Sequence, residues 1–203
     1  YIETVRQLKW ELGSKAIVIH LTLVPYLAAT GELKTKPTQH SVKQLLEEGV
    51  QPDILVLRTE YDIDLSVREK VALFCNVAIE AVVQSINVPT IYEVQLKMLE
   101  EKLDITVLKK LGLPVNDEID LSLWNDFLTR LKNPTQTIEI GLIGKYVELR
   151  DAYKSIAEAI VHAGAENRCK VNINWIHSEN INSSNYVEML SNLYDTYSLR
   201  ILG

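Results

Sequence analysis

The stretch "AIVIHLTLVPYLAATGELKTKPTQHSVKQLLEEG" (16–49) carries three signals in a row. First comes a near-continuous apolar run, 16–24, ended by Pro25. Such runs suit a strand buried on both faces of a parallel sheet. Next is a loop led by Gly31 that carries Lys34 and Lys36. Last, over 42–48, Val42, Leu45 and Leu46 share one helical face, and Gly49 stops the helix. Strand, basic loop and helix in that order predict an α/β fold with a parallel sheet. In open sheets of this kind ligands bind beyond the carboxyl ends of the strands.

The same alternation extends outward. "DILVLRT" (53–59) and "AVVQSI" (81–86) read as two more buried strands. Between them "SVREKVALF" (66–74) reads as a helix, with Ser66 and Glu69 at capping-box spacing. Upstream, 2–12 reads as a helix with Ile2, Val5, Leu8, Trp10 and Leu12 on one broad face. A helical phase follows: 90–104, then 105–111 ended by Gly112 and Pro114, then 120–136 with a Pro-marked break. A domain boundary is expected near 133–136, because strands and helices then restart. "TIEIGLIG" (137–144) and "KVNINWI" (170–176) read as strands. "DAYKSIAEAIVHAG" (151–164), with Asp151 as N-cap, and "NYVEMLSNL" (185–193) read as helices. That is the β-α-β-α opening of a second α/β domain.

Bulk composition excludes several classes. The 203 residues are 47% hydrophobic and 24% charged, as in a globular protein. A net charge of −6 argues against a general nucleic-acid binder, though not against a local anion site. No apolar run has the length of a membrane span. Two cysteines, Cys75 and Cys169, make no metal spacing and no disulfide framework, which predicts a reducing, cytoplasmic setting. The sequence shows no basic-then-apolar leader. It opens at Tyr1 rather than Met and ends in "LRILG", so a piece of a longer protein, cut at both ends, is expected.

The loop Lys34-Thr35-Lys36-Pro37-Thr38-Gln39 is the first candidate for chemistry. With Thr38 or Ser41 as cap, the free N–H groups of the following helix point back at the loop and attract an anion. Two lysines beside them suit a di- or triphosphate, and Gln39 suits a base or sugar edge. The bland alternative is a pair of solvated lysines with Thr38 as a plain cap. On pattern alone Lys70 is an ordinary surface lysine, and Asp53 and Asp62 are loop or strand-edge residues. His20, within an apolar strand, reads as a hydrogen-bonded core residue; His40, His162 and His177 make no metal pair with it. "GLIGKY" (141–146) lacks the phosphate-loop spacing, and its glycines read as a tight strand-to-helix turn.

"HLTLVPYLAATGELKTKPTQHSVKQL", "GVQPDILVLRT", "KVALFCNV" and "TIYEV", in that order, resemble the synthetase domain of the CTP synthase family. "IGLIGKYVELRDAYKSIAEAIVHAG" resembles the start of that family's glutamine amidotransferase domain. The resemblance runs to about residue 182. It implies the C-terminal part of a P-loop-type parallel-sheet synthetase domain (1–114), a helical linker (115–136) and the first part of a class I glutamine amidotransferase domain (137–203). The family phosphorylates O4 of UTP with ATP and displaces that phosphate with ammonia from glutamine, yielding CTP. It is a Mg²⁺-dependent cytoplasmic ligase of pyrimidine biosynthesis, a homotetramer, with GTP as effector and no nucleic-acid or membrane partner. Carried over, Lys34, Thr35, Lys36, Pro37, Thr38 and Gln39 match the UTP- and CTP-binding segment, and Lys70 a further UTP/CTP-binding lysine. Ile86, Asn87 and Val88 match a segment that contacts ATP, a contact that backbone groups make whatever the first side chain is.

The family's phosphate loop, Mg²⁺ ligands and acidic UTP motif match nothing here, nor do its oxyanion strand, Cys nucleophile and His-Glu pair. Neither Cys75 nor Cys169 fits the nucleophile's motif, and 183–203 departs from the expected Val-Pro-Gly-Gly-type strand. No catalytic or metal-binding residue is therefore assigned within the chain. Two other readings stand beside this one. The first is a non-catalytic nucleotide-binding or assembly module derived from the fold. The second is another amidotransferase-coupled ligase of cobyrinate type, against which KTKPTQ argues. The synthetase half is expected to leave a sheet edge and apolar faces exposed, which promotes association. By itself the chain is expected to form no CTP from UTP, ATP and ammonia and to hydrolyse no glutamine; CTP formation by the purified 203 residues contradicts this.

Overall fold

Residues 1–116, 119–191 and 201–202 are described by the computed structural model. The first of two units, Tyr1–Ile119, opens with helix α1 (Ile2–Leu12) and strand β1 (Ile19–Leu23). A short antiparallel hairpin, β2 (Tyr26–Leu27) and β3 (Glu32–Leu33), leads into helix α2 (Lys36–Glu47). Strand β4 (Ile54–Thr59), helix α3 (Leu65–Cys75), strand β5 (Val82–Ile86) and helices α4 (Val94–Glu100) and α5 (Leu103–Lys110) follow. The strands form a parallel sheet in the order β1-β4-β5, with Ile19 opposite Ile54 and Leu55 opposite Val82.

Strand β4 is buried on both faces because its first four residues are all apolar. Ile54, Leu55 and Leu57 are 0% exposed. Side chains alternate across a strand. Leu55 and Leu57 therefore meet Val24, Val42, Val71, Cys75 and Val82 beneath α2 and α3. Ile54 meets Ala81 and Val83, packed against Met98 of α4 and Leu103 and Val107 of α5.

Strand β1 departs from the expectation of burial on both faces. Ile19, Leu21 and Leu23 are 44%, 65% and 55% exposed. They share the face of Ile54 and Val56, which α4 and α5 cover only beside β5 and β4, whereas His20 and Thr22 share the covered face of Leu55 and Leu57. Among the described residues β1 is also an edge of the sheet. The broad apolar face of α1 is likewise open: Trp10 is 84% exposed and the helix has no buried residue. Instead Lys9 and the N–H of Val18 both bond the Asp53 carboxylate, at 2.5 and 2.7 Å, which ties α1 and the entry of β1 to the start of β4.

Local chemistry moves several helix ends. Helix α2 starts at Lys36 with Thr35 as N-cap, so neither Thr38 nor Ser41 caps it, and Pro37 sits in its first turn where a missing N–H costs nothing. Helix α3 starts at Leu65 after Asp64, so Ser66 is already helical and the capping box does not form. The stretch 90–104 is broken at Lys102, which takes a left-handed φ of 56°. Glu101 precedes the break. Its carboxylate takes both Arg68 guanidinium nitrogens, at 2.5 and 2.8 Å, and the N–H of Gln84 at 3.2 Å. This knot joins α3, β5 and the end of α4.

The second unit, Asp120–Gly203, holds helix α6 (Ser122–Lys132), strand β6 (Gln136–Gly144), helix α7 (Lys154–Glu166), strand β7 (Cys169–His177), helix α8 (Tyr186–Ser191) and strand β8 (Ile201–Leu202). Its sheet is parallel in the order β7-β6-β8. Helix α6, read from sequence as linker, packs on α7 through Phe127 and His162, whose ring centroids are 5.0 Å apart, and through the Arg130–Glu166 pair. Helix α7 begins at Lys154 after a 3-10 turn, so Asp151 is not its N-cap. Gly144 lies in β6 rather than in a turn; a Cβ there would collide with the Tyr153 hydroxyl, and Tyr146 takes the left-handed φ of 57° instead. Of 183–203, residues 192–200 and 203 lie outside the described residues.

Two stability predictions follow. Burial raises the Glu101 carboxyl, but the Arg68 pair and the Gln84 N–H outweigh it and hold the carboxyl below its ordinary 4.5. A depressed carboxyl contributes stability above its unfolded value and loses it as pH falls through the folded one. Glu101→Gln is therefore expected to cost about 1–2 kcal/mol in urea unfolding at pH 7, with the gap to wild type closing below pH 4.5. In the second unit a Cβ on Gly164 would stand 2.8 Å from the Cys169 carbonyl oxygen and 2.8 Å from Val171. Gly164→Ala is expected to cost about 1–3 kcal/mol by pushing α7 off β7, read as a lower unfolding midpoint of that unit.

Candidate functional site

Parallel pairing brings the ends of β1, β4 and β5 to one edge of the first sheet. The N–H of Val24 bonds the Arg58 carbonyl at 2.9 Å, so pairing continues to that edge. The chain then turns through the β2–β3 hairpin, and the N–H of Lys34 returns to the Pro25 carbonyl at 2.9 Å. Thr38 pins the other side of the loop: it is 0% exposed and donates its hydroxyl to the Leu23 carbonyl at 3.0 Å. The loop 34–39 is thus stapled at both ends to the last residues of β1.

A cavity of about 430 Å³ opens at this corner. The hairpin lines it with Tyr26, Gly31 and Glu32, the start of α2 with Thr35, the exit of β4 with Tyr61 and Asp62, and α3 with Lys70. Tyr26 and Tyr61 form one wall, their ring centroids 4.3 Å apart. Lys34 is half-buried and its ammonium pairs with Glu32. Thr35 is buried and its hydroxyl accepts from the Gln39 amide at 3.2 Å. Lys36 and Pro37 are exposed at the first turn of α2. The hydroxyl of Thr38 is spent on the fold. Lys70, unremarkable in sequence, shares the cavity with Thr35 and Glu32 because α3 returns across the same corner.

Ile86 ends β5 opposite Thr59 of β4, and Asn87 and Val88 continue beyond it on the same edge of the sheet. Two neighbours went unread in the sequence. Arg58 donates to the Ser85 carbonyl at 3.0 Å and to the Thr59 carbonyl at 3.1 Å, immediately before Ile86. A single charge inside the apolar run "DILVLRT" was the usable signal. Glu32 was the other, a carboxylate two residues before the first lysine.

Other candidates lie elsewhere. His20 is half-buried with Nε2 2.8 Å from the Ser41 hydroxyl, as a hydrogen-bonded strand histidine should be, and burial pushes its pKa down. Cys75 is buried and its thiol is pushed up to about 11, so it stays protonated at neutral pH. Cys169 donates to the Asn167 carbonyl at 3.2 Å. Among the described residues no group of three or more His, Cys, Asp or Glu is placed to hold a metal ion, and no helix is long and apolar enough to cross a membrane.

Comparison with known proteins bears on this geometry. A family model described as CTP synthase N-terminus matches residues 1–113. A CTP synthase of Flavobacterium johnsoniae is 63% identical over 194 residues, 95% of this chain and 36% of that protein. Those of Christiangramia forsetii and Bacteroides fragilis are 60% and 57% identical, again over 95% of this chain and 36% of theirs. The chain therefore spans 36% of the length of the curated relatives it matches. With more than half of its length under the family model and its candidate loop inside the match, the chain belongs to the CTP synthase family.

Proposed function

We infer that the chain is the nucleotide-holding portion of a ligase that aminates UTP to CTP with ATP and with ammonia from glutamine. The observation that carries this is the shared corner: Thr35, Lys70 and the hairpin bearing Lys34 meet at one cavity on the carboxyl edge of a parallel sheet. A triphosphate needs several cations and N–H donors within its own length, and this corner supplies them. Lys34, Lys36 and Lys70 neutralise its charge, and the N–H groups of the first turn of α2 cap it. Thr35 and Gln39 act as a pair, the amide holding the hydroxyl toward the ligand. CTP carries the same triphosphate and takes the same groups, so product inhibition follows from the same contacts.

Ile86, Asn87 and Val88 offer backbone groups to ATP on the same edge. The task of these residues is to bind and orient nucleotides. Phosphoryl transfer, amination, the release of ammonia from glutamine, the response to GTP and the homotetramer belong to the whole protein. A non-catalytic module built on the same corner would bind UTP and turn nothing over, which separates it from the ligase in one assay.

In the full-length protein Lys34→Ala and Lys36→Ala are each expected to raise the UTP requirement about ten- to a hundredfold, since a charge-assisted bond to phosphate is worth roughly 1.5–3 kcal/mol. Inhibition by CTP should weaken in parallel, and Gln39→Ala should do less because a neutral amide contributes less. Glutamine hydrolysis without nucleotide should be unchanged. Steady-state CTP formation against UTP concentration checks this; an unaltered UTP dependence in both lysine variants makes them solvated charges.

A further inference from the structure

Glu32 holds a place in the corner that the nucleotide reading does not use. It lines the cavity together with Thr35 and Lys70, and its carboxylate is hydrogen-bonded to the Lys34 ammonium. Asp62, another carboxylate of the cavity, is engaged differently: it accepts from the Gln84 amide at 3.1 Å. The Lys34 hydrogen bond first, then the charge of Lys34, with smaller contributions from Thr30 and Lys70, lower the Glu32 carboxyl below its ordinary range against a slight opposing effect of burial. Glu32 is therefore an anion at neutral pH that feels two of the three lysines. Its side chain is 55% exposed, so it can swing into solvent without disturbing the core.

We propose that Glu32 is a tethered stand-in for ligand phosphate, holding Lys34 in the free protein and releasing it only to an anion that reaches several cations of the corner at once. This rests on the nucleotide reading above and adds a selectivity rule to it. A carboxylate two residues from its lysine competes at an effective concentration in the millimolar range. Orthophosphate, with one phosphoryl group where a triphosphate has three, does not displace it at comparable concentration. A nucleoside triphosphate does, because it recovers the lost pair through Lys36, Lys70 and the first turn of α2. Glu32 thus lowers absolute affinity for UTP while excluding short anions from the site.

The test uses the full-length protein, with calorimetric titration of UTP and of orthophosphate into wild type, Glu32→Gln, Lys34→Ala and the double variant. An exposed pair contributes little to folding, so Glu32→Gln retains the native structure. Glu32→Gln is expected to tighten UTP binding about three- to tenfold and to make orthophosphate a competitor of UTP. In the Lys34→Ala background the same change should alter neither, because the competition passes through Lys34; a merely structural role for Glu32 has no such dependence. If Lys34→Ala weakens UTP binding but Glu32→Gln leaves it equal or weaker, the stand-in is wrong and the nucleotide site stands. If wild type binds no UTP, or Lys34→Ala leaves its binding unchanged, the nucleotide reading itself falls and Glu32 with it.

Discussion

The corner depends on one constraint, the burial of β4 on both faces between two parallel neighbours. Four consecutive apolar residues let it pack under α2 and α3 on one side and against α4 and α5 on the other. Parallel pairing on both edges then leaves no freedom in where the strands end: Leu23, Thr59 and Ile86 fall on the same edge of the sheet. A hairpin sheet would have sent alternate ends to opposite edges. The loop 34–39, the exit of β4 and the segment after β5 are brought to one edge by topology, before any side chain of the site is considered.

The loop itself is set by hydrogen bonds that belong to the fold. Thr38, buried at the start of α2, donates to the last residue of β1, and the Lys34 N–H bonds the Pro25 carbonyl. These two bonds hold the backbone between them, with Thr35 buried and Lys36 exposed. An acidic chain can hold such a basic point because electrostatics in a partly desolvated corner are local. The net charge of −6 is a sum over the whole chain, whereas Glu32 and Lys70 line one cavity and Lys34 pairs with Glu32. Composition excluded an extended basic surface and was silent about this one.

Periodicity alone made the sheet legible. "DILVLRT" and "AVVQSI" became the core strands within one residue of their read limits. What periodicity missed was competition at element ends. Ser66 and Glu69 have capping-box spacing, but Asp64 lies two residues earlier and the helix starts after it. The 90–104 stretch is helical throughout by propensity, yet it breaks at Lys102, next to the Arg68–Glu101 pair. Of the site, the KTKPTQ loop was visible as strand, basic loop and helix. Lys70 was legible only through the family resemblance, and Arg58 and Glu32 were not, because each acquires meaning only from a neighbour distant in sequence or from a partner whose charge it offsets.

The run 16–24 is the instructive case. It is apolar at nearly every position, yet the structure covers only one of its faces among the described residues. Sequence reports what a residue tolerates, and contact reports what it meets. His20 and Thr22 lie on the covered face, held by Ser41 and the α2 layer, while Ile19, Leu21 and Leu23 lie on the open one. Strand β1 is therefore fixed by its ladder with β4 and by one layer of packing, where β4 has two. The loop 34–39 is stapled to the end of this less supported strand.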